Sequence, residues 1–167
     1  MNRRDILNIS AVTALGLALL TGSAAAQQRT IQQRLVGAWT IVSYEAIRPD
    51  GTKQQLINPN GYLIFDSSGR YAQVIAAADR PKDKTPGQPT TEELVAAMAG
   101  FVANAGTWSV SEAERGLTQR FGAALRPDDE GTDFRSLIDL DGDELRLTSV
   151  RPLPTGPRID VVYRRLR

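Results

Sequence analysis

The chain has no cysteine and no histidine among its 167 residues. Without cysteine there is no disulfide framework, no thiolate nucleophile and no acceptor for bacterial lipid attachment. Without histidine, imidazole acid/base chemistry and the usual zinc sites are excluded. Neither sign of charge is in excess: Lys and Arg number 20 against 19 for Asp and Glu, and setting aside Arg3, Arg4 and Asp5 leaves 18 of each. That balance carries no electrostatic footprint for nucleic acid or for an anionic membrane surface. No Gly-x-Ser-x-Gly elbow, Ser/His pair, phosphate loop or other cofactor motif occurs, so no catalytic constellation and no cofactor are indicated. The apolar stretch Ile9 to Leu20 is short of the ~20 residues a membrane-spanning helix needs.

The first 26 residues do carry the three parts of an export signal: Arg3 and Arg4 at a charged start, that apolar stretch, and Ala24-Ala25-Ala26 before Gln27. Asn2-Arg3-Arg4-Asp5-Ile6-Leu7-Asn8 resembles the twin-arginine consensus, with Ile6 and Leu7 in its apolar positions and Asn2 and Asn8 departing at the ends. The expectation is cleavage after Ala26 and a periplasmic or secreted product with no stable membrane insertion. General secretion is the alternative route, and retention as an uncleaved anchor the third outcome. Residues 27–167, about 140 in number, are the size of one domain.

Eight segments of that domain have strand character: residues 35–47, 62–66, 70–76, 107–111, 117–124, 133–140, 144–150 and 159–166. In the first, Trp39, Ile41 and Ser43 alternate with Thr40, Val42 and Tyr44, so one set faces inward. Asp66-Ser67-Ser68-Gly69 is a tight hairpin turn and Pro59-Asn60-Gly61 a second turn. Pro81, Pro86 and Pro89 hold residues 79–89 in a surface loop. Thr90 with Glu93 forms a capping box for one helix over about 91–104, with Leu94, Met98, Phe101 and Val102 on the face that packs. Eight short strands and one covering helix describe a mainly β, up-and-down antiparallel barrel with an internal cavity.

The order of these segments resembles the bacterial lipocalin-like domain family over nearly all of residues 27–167. The resemblance rests on Leu35-Val36-Gly37-Ala38-Trp39, Gly61 to Arg70, Asp79-Arg80-Pro81, Thr90 to Glu93, Gly106 to Val110 and Leu140 to Leu145. It implies a small-molecule cavity without implying one activity. Relatives often carry a histidine where this chain has Thr118, Gln119 and Arg120, so chemistry resting on that histidine is not carried over. The resemblance further implies that a C-terminal arginine (Arg164, Arg165 or Arg167) lies across the Trp39 indole at the closed end. Gly37, Trp39 and Arg164 are therefore assigned structural roles.

Tyr71, Gln73, Trp108, Gln119, Phe121 and Tyr163 are the candidate ligand-binding residues, as aromatic or polar side chains on strands. Arg120 and Arg135 are candidate anchors for a carboxylate or enolate, although alternation with Phe134, Ser136 and Ile138 puts Arg135 outside. A cavity of this kind combines an apolar lining with a few convergent polar groups. The acidic run Asp139, Asp141, Asp143 and Glu144 lacks the glycine and terminal glutamate of a calcium loop and reads as a hairpin. The primary reading is an exported barrel that carries a small apolar or amphipathic molecule. Two alternatives remain: an isomerase, cyclase or dehydratase using a carboxyl such as Glu45, and a structural envelope protein with a filled interior.

Overall fold

The computed structural model describes residues 29–150 and 157–167, so the expected export signal and its expected cleavage site lie outside the described residues. Eight long strands close into one antiparallel barrel: β1 (Gly37–Ile47), β3 (Pro59–Phe65), β4 (Arg70–Ala77), β5 (Phe101–Ser111), β6 (Gly116–Ala124), β7 (Asp133–Asp141), β8 (Glu144–Ser149) and β9 (Arg158–Arg165). Each pairs with its neighbour in this order, and β9 returns to β1. These are the eight segments expected from the sequence, in the up-and-down connectivity their short turns predict. A three-residue strand, β2 (Lys53–Gln55), is laid against the last residues of β1.

Alternation decides what fills the barrel. Along β7, Phe134, Ser136, Ile138 and Leu140 point inward while Asp133, Arg135, Leu137 and Asp139 are exposed. Two bulges break the period. The β1/β9 register shifts between Ile41 and Ser43, leaving Val42 unpaired, so Tyr44 and Ala46 follow Trp39 and Ile41 into the interior. The β5/β6 register shifts at Gly122, where β6 comes so close that a Cβ on Gly106 would sit 1.9 Å from the Arg120 carbonyl oxygen. Gly61 has a similar role, with a would-be Cβ 2.0 Å from the Val74 carbonyl oxygen. Pro59-Asn60-Gly61 therefore belongs to β3 and is not the turn expected: its glycine serves close strand approach.

The closed end is plugged by a helix that is not among the expected elements and whose last residue, Leu35, was expected to open the first strand. Thr30 and Gln33 form a reciprocal capping box for α1 (Ile31–Leu35), and the Glu112 carboxylate accepts from the backbone N–H groups of Ile31 and Gln32 at 3.0 Å each. α1 delivers Leu35 into a core that includes Trp39, Leu63, Phe65, Trp108, Leu117 and Leu145. The Trp39 indole N–H donates to the Leu35 carbonyl at 2.9 Å. Arg165 lies 4.0 Å over the indole and donates to the Val36 and Arg34 carbonyls. The arginine on Trp39 is thus Arg165, not Arg164, which alternation leaves exposed. Gly37 makes room for it: at φ 129°, a Cβ there would meet the guanidinium at 3.1 Å.

The second helix departs from expectation. Its capping box is present, but α2 (Thr91–Ala99) ends at Gly100, and residues 101–104 open β5. Pairing with β4 from Ala76–Phe101 to Gln73–Asn104 outweighs the continued helical spacing. Leu94, Val95 and Met98 are 52%, 63% and 53% exposed, so the helix does not cover the barrel through the expected face. Val102 packs against the core from the strand instead, and the Arg80 guanidinium lies 4.8 Å over the Phe101 ring.

On the outer wall, Asp160 is buried at 1% exposure beneath β2. Its carboxylate accepts from Arg146 and the Thr148 hydroxyl at 2.7 Å each and from the Lys53 ammonium. Burial alone would raise its pKa. The Lys53 and Thr148 hydrogen bonds and the Arg146 charge outweigh burial and hold it below the usual carboxylate range.

Candidate functional site

Above the closed-end core the inward side chains become small or polar, and the barrel leaves a cavity of about 610 Å³. Ala124, Ser136 and Ser149 occupy inward positions of β6, β7 and β8, strands that carry Leu117, Leu140 and Leu145 at the closed end. The volume follows from that substitution of small for large on the same strands.

The floor is polar. Gln73 on β4 stands opposite Leu63 and Asn104, and Gln119 on β6 stands opposite Trp108 and Phe134, so these amides rest directly on the core. The Gln73 Nε2 donates to the Tyr163 hydroxyl at 2.8 Å. Gln119 Nε2 and Asn104 Oδ1 are buried with no hydrogen-bond partner. Tyr163 is fully buried, and burial, with nearby Tyr44 adding to it, pushes its phenol well above the usual range. Burial raises Tyr44 too. Both phenols are therefore neutral hydrogen-bonding groups at physiological pH.

The walls are apolar. Phe121 and Phe134 stack with ring centroids 6.3 Å apart at 23°, facing Leu147, Ile159 and Val161 across the space. Charge is confined to the rim: among the described lining residues, Arg126, Asp128, Asp129 and Asp133 are the ionisable acids and bases, all on or beside the β6–β7 connection.

Four of the candidates from sequence line this cavity: Gln73, Gln119, Phe121 and Tyr163. Trp108 and Tyr71 point inward but lie in the core on the closed side, outside the cavity lining. Trp108 packs 4.7 Å from Phe65 and donates its indole N–H to the Asp66 carbonyl at 3.1 Å. The Tyr71 hydroxyl is buried and unpaired. Arg120 and Arg135 are on the outer wall, because each sits one residue from an inward position. Arg120 pairs there with Asp133 at 3.2 Å and Arg135 is exposed. Neither can anchor an anion inside the barrel. Glu45 also faces out, 3.8 Å from Lys53, and Asp66 caps its turn by accepting from the Ser68 N–H at 2.6 Å.

The sequence reading missed Tyr44, Asn104, Ser136, Ser149 and the rim loop. Tyr44 reaches the interior only through the Val42 bulge, and Asn104 was assigned to the helix end. Two-residue alternation from Trp108 back through Gly106 was the signal that places Asn104 inward. The loop at 126–131 reads as solvated acid, which it is, but it also frames the entrance.

A model of the lipocalin-like domain matches residues 36–163, from the entry of the first strand to the tyrosine on the cavity floor. No curated protein matches the chain. With the closed barrel and most of its length covered by that match, the chain belongs to the lipocalin-like domain family.

Proposed function

We propose that this protein binds a small apolar or amphipathic molecule inside the barrel and holds or carries it without transforming it. The observation that carries the reading is the cavity itself: about 610 Å³, apolar on its walls, polar on its floor and open at one rim. That volume and mixture are typical of small-molecule sites. Among the described residues that line the cavity below the rim there is no carboxylate, which supports holding over the acid/base turnover that Glu45 would have served. A barrel kept only for structure would have no reason to leave this interior unfilled. The envelope as the place of action is part of the proposal and rests on the amino-terminal sequence.

The test uses N-phenyl-1-naphthylamine, an uncharged dye that brightens in apolar surroundings. Saturable enhancement is expected with the natural protein and should be lost in Ala124→Trp, which fills the cavity from its wall. Circular dichroism confirms that the variant is folded. Equal dye binding by both proteins would overturn the reading. In parallel, native mass spectrometry of protein purified from its own envelope should show a retained small molecule.

A further inference from the structure

Resting on that binding reading, we propose that the occupant enters head first and carries an uncharged head group able both to donate and to accept hydrogen bonds, of the carboxamide or alcohol kind. It would seat on the amide of Gln119. A carboxylate, the head group of a fatty acid, is disfavoured.

The floor selects the head group. Gln119 is 3% exposed, lines the cavity and leaves its Nε2 without a partner, and Asn104 leaves its Oδ1 without one. A buried polar group left unpaired is costly, so a head group that satisfies Gln119 is selected over a plain hydrocarbon end. An amide presents a donor and an acceptor whichever way it is turned. The matching head must therefore offer both senses as well. The Tyr163 hydroxyl, which accepts from Gln73, retains its own proton to donate.

Charge disfavours an anion. Among the described residues, no cation lines the cavity below the rim, and the two phenols there stay neutral because burial raises them. A carboxylate lowered onto this floor would lose its hydration with no counter-charge to replace it. Among the described rim residues, Asp133 is paired with Arg120 and Arg126 is outnumbered by Asp128 and Asp129, so these residues do not attract anions either. The arginines that would anchor a carboxylate, Arg120 and Arg135, are on the other side of the wall. The hydrocarbon remainder of the molecule lies between Phe121 and Phe134 and the aliphatic wall of Leu147, Ile159 and Val161.

The experiment displaces bound N-phenyl-1-naphthylamine with decanamide and with decanoate, at neutral pH and below their aggregation concentrations. The two share a tail and differ in head charge. Decanamide is expected to displace the dye at roughly tenfold lower concentration than decanoate. In Gln119→Leu, the affinity for decanamide relative to that for the dye on the same variant should fall about tenfold, and its advantage over decanoate should disappear. Decanoate matching or beating decanamide on the natural protein overturns the proposal, and so does an unchanged decanamide affinity in Gln119→Leu. The head-to-head comparison on the natural protein decides the matter even if that variant does not fold. Failure of the dye to bind at all would instead remove the binding reading on which the proposal rests.

Discussion

The two ends of this barrel are built by the same strands, with the same alternation, to opposite effect. Toward the closed end, the inward residues of β1, β3, β5, β6 and β8 are Trp39, Leu63, Phe65, Trp108, Leu117 and Leu145, and all are buried in one cluster under α1. Toward the open end, the inward residues on β4 to β8 include Gln73, Asn104, Ala124, Ser136 and Ser149, and they surround empty space. A strand pair costs the same backbone order at either end, so the difference lies in side-chain volume. One end gains dense packing and the other gives up contacts for room. The division predicts that stability is concentrated at the closed end and binding at the open one.

The largest test of that division is Trp39→Ala, which removes a fully buried indole together with its hydrogen bond and the Arg165 stack. A loss of about 3–5 kcal/mol is expected in urea melts. Phe134→Ala, on the half-buried cavity wall, should cost less than half of that and weaken dye binding instead. Equal destabilisation by the two would break the comparison.

Next in size is the outer-wall cluster that ties β8, β9 and β2 together. Asp160→Asn should cost about 2 kcal/mol, below the ~3–5 kcal/mol of a fully buried pair because Lys53 and Arg146 keep access to water. The folded pKa of Asp160 is depressed, so its contribution is present above the carboxylate's unfolded value and disappears as pH falls through the folded one. The gap between natural protein and Asp160→Asn in thermal melts should therefore be full at neutral pH and narrow below about pH 4. A gap that stays constant into acid would show that the carboxylate's charge is not what stabilises the wall.

Smaller and of opposite sign are the unpaired buried groups. Tyr71→Phe removes a hydroxyl that has no partner and should be neutral or stabilising by up to about 1 kcal/mol. Gln119→Leu should behave the same way in melts while impairing decanamide binding, which sharpens the contrast between a stable floor and a useful one. A clear loss of stability in Tyr71→Phe would mean that its hydroxyl is satisfied after all. Smallest of all, Leu94→Ser and Met98→Ser on α2 should change stability by less than about 0.5 kcal/mol, since both side chains are half exposed. A cost near that of Phe134→Ala would place the helix against the barrel.

Much of this was legible in the order of the residues. The eight strands, the Asp66–Gly69 hairpin, the Thr90/Glu93 cap and the family resemblance all depend on local signals: alternation, turn residues and short-range caps. Gln73, Gln119, Phe121 and Tyr163 could be put at the cavity for the same reason. What misled were places where a long-range pairing overrode a local pattern. Phe101 and Val102 continue the helical spacing of α2, yet seven cross-strand pairs with β4 take them into β5. Leu35 reads as the start of a strand, yet a five-residue helix closes the barrel with it.

The sequence by itself determined the closed β architecture and the exclusion of cysteine and histidine chemistry, because strand alternation and residue type are properties of the chain alone. Only the tertiary structure decided which alternate positions meet in the interior. The Val42 bulge turns Tyr44 inward, and a one-residue offset along β6 separates exposed Arg120 from cavity-lining Gln119. The side-chain period of a strand is two, so a single inserted residue exchanges inside for outside. Whether a turn, helix or bulge inserts that residue is set by how two distant strands fit together.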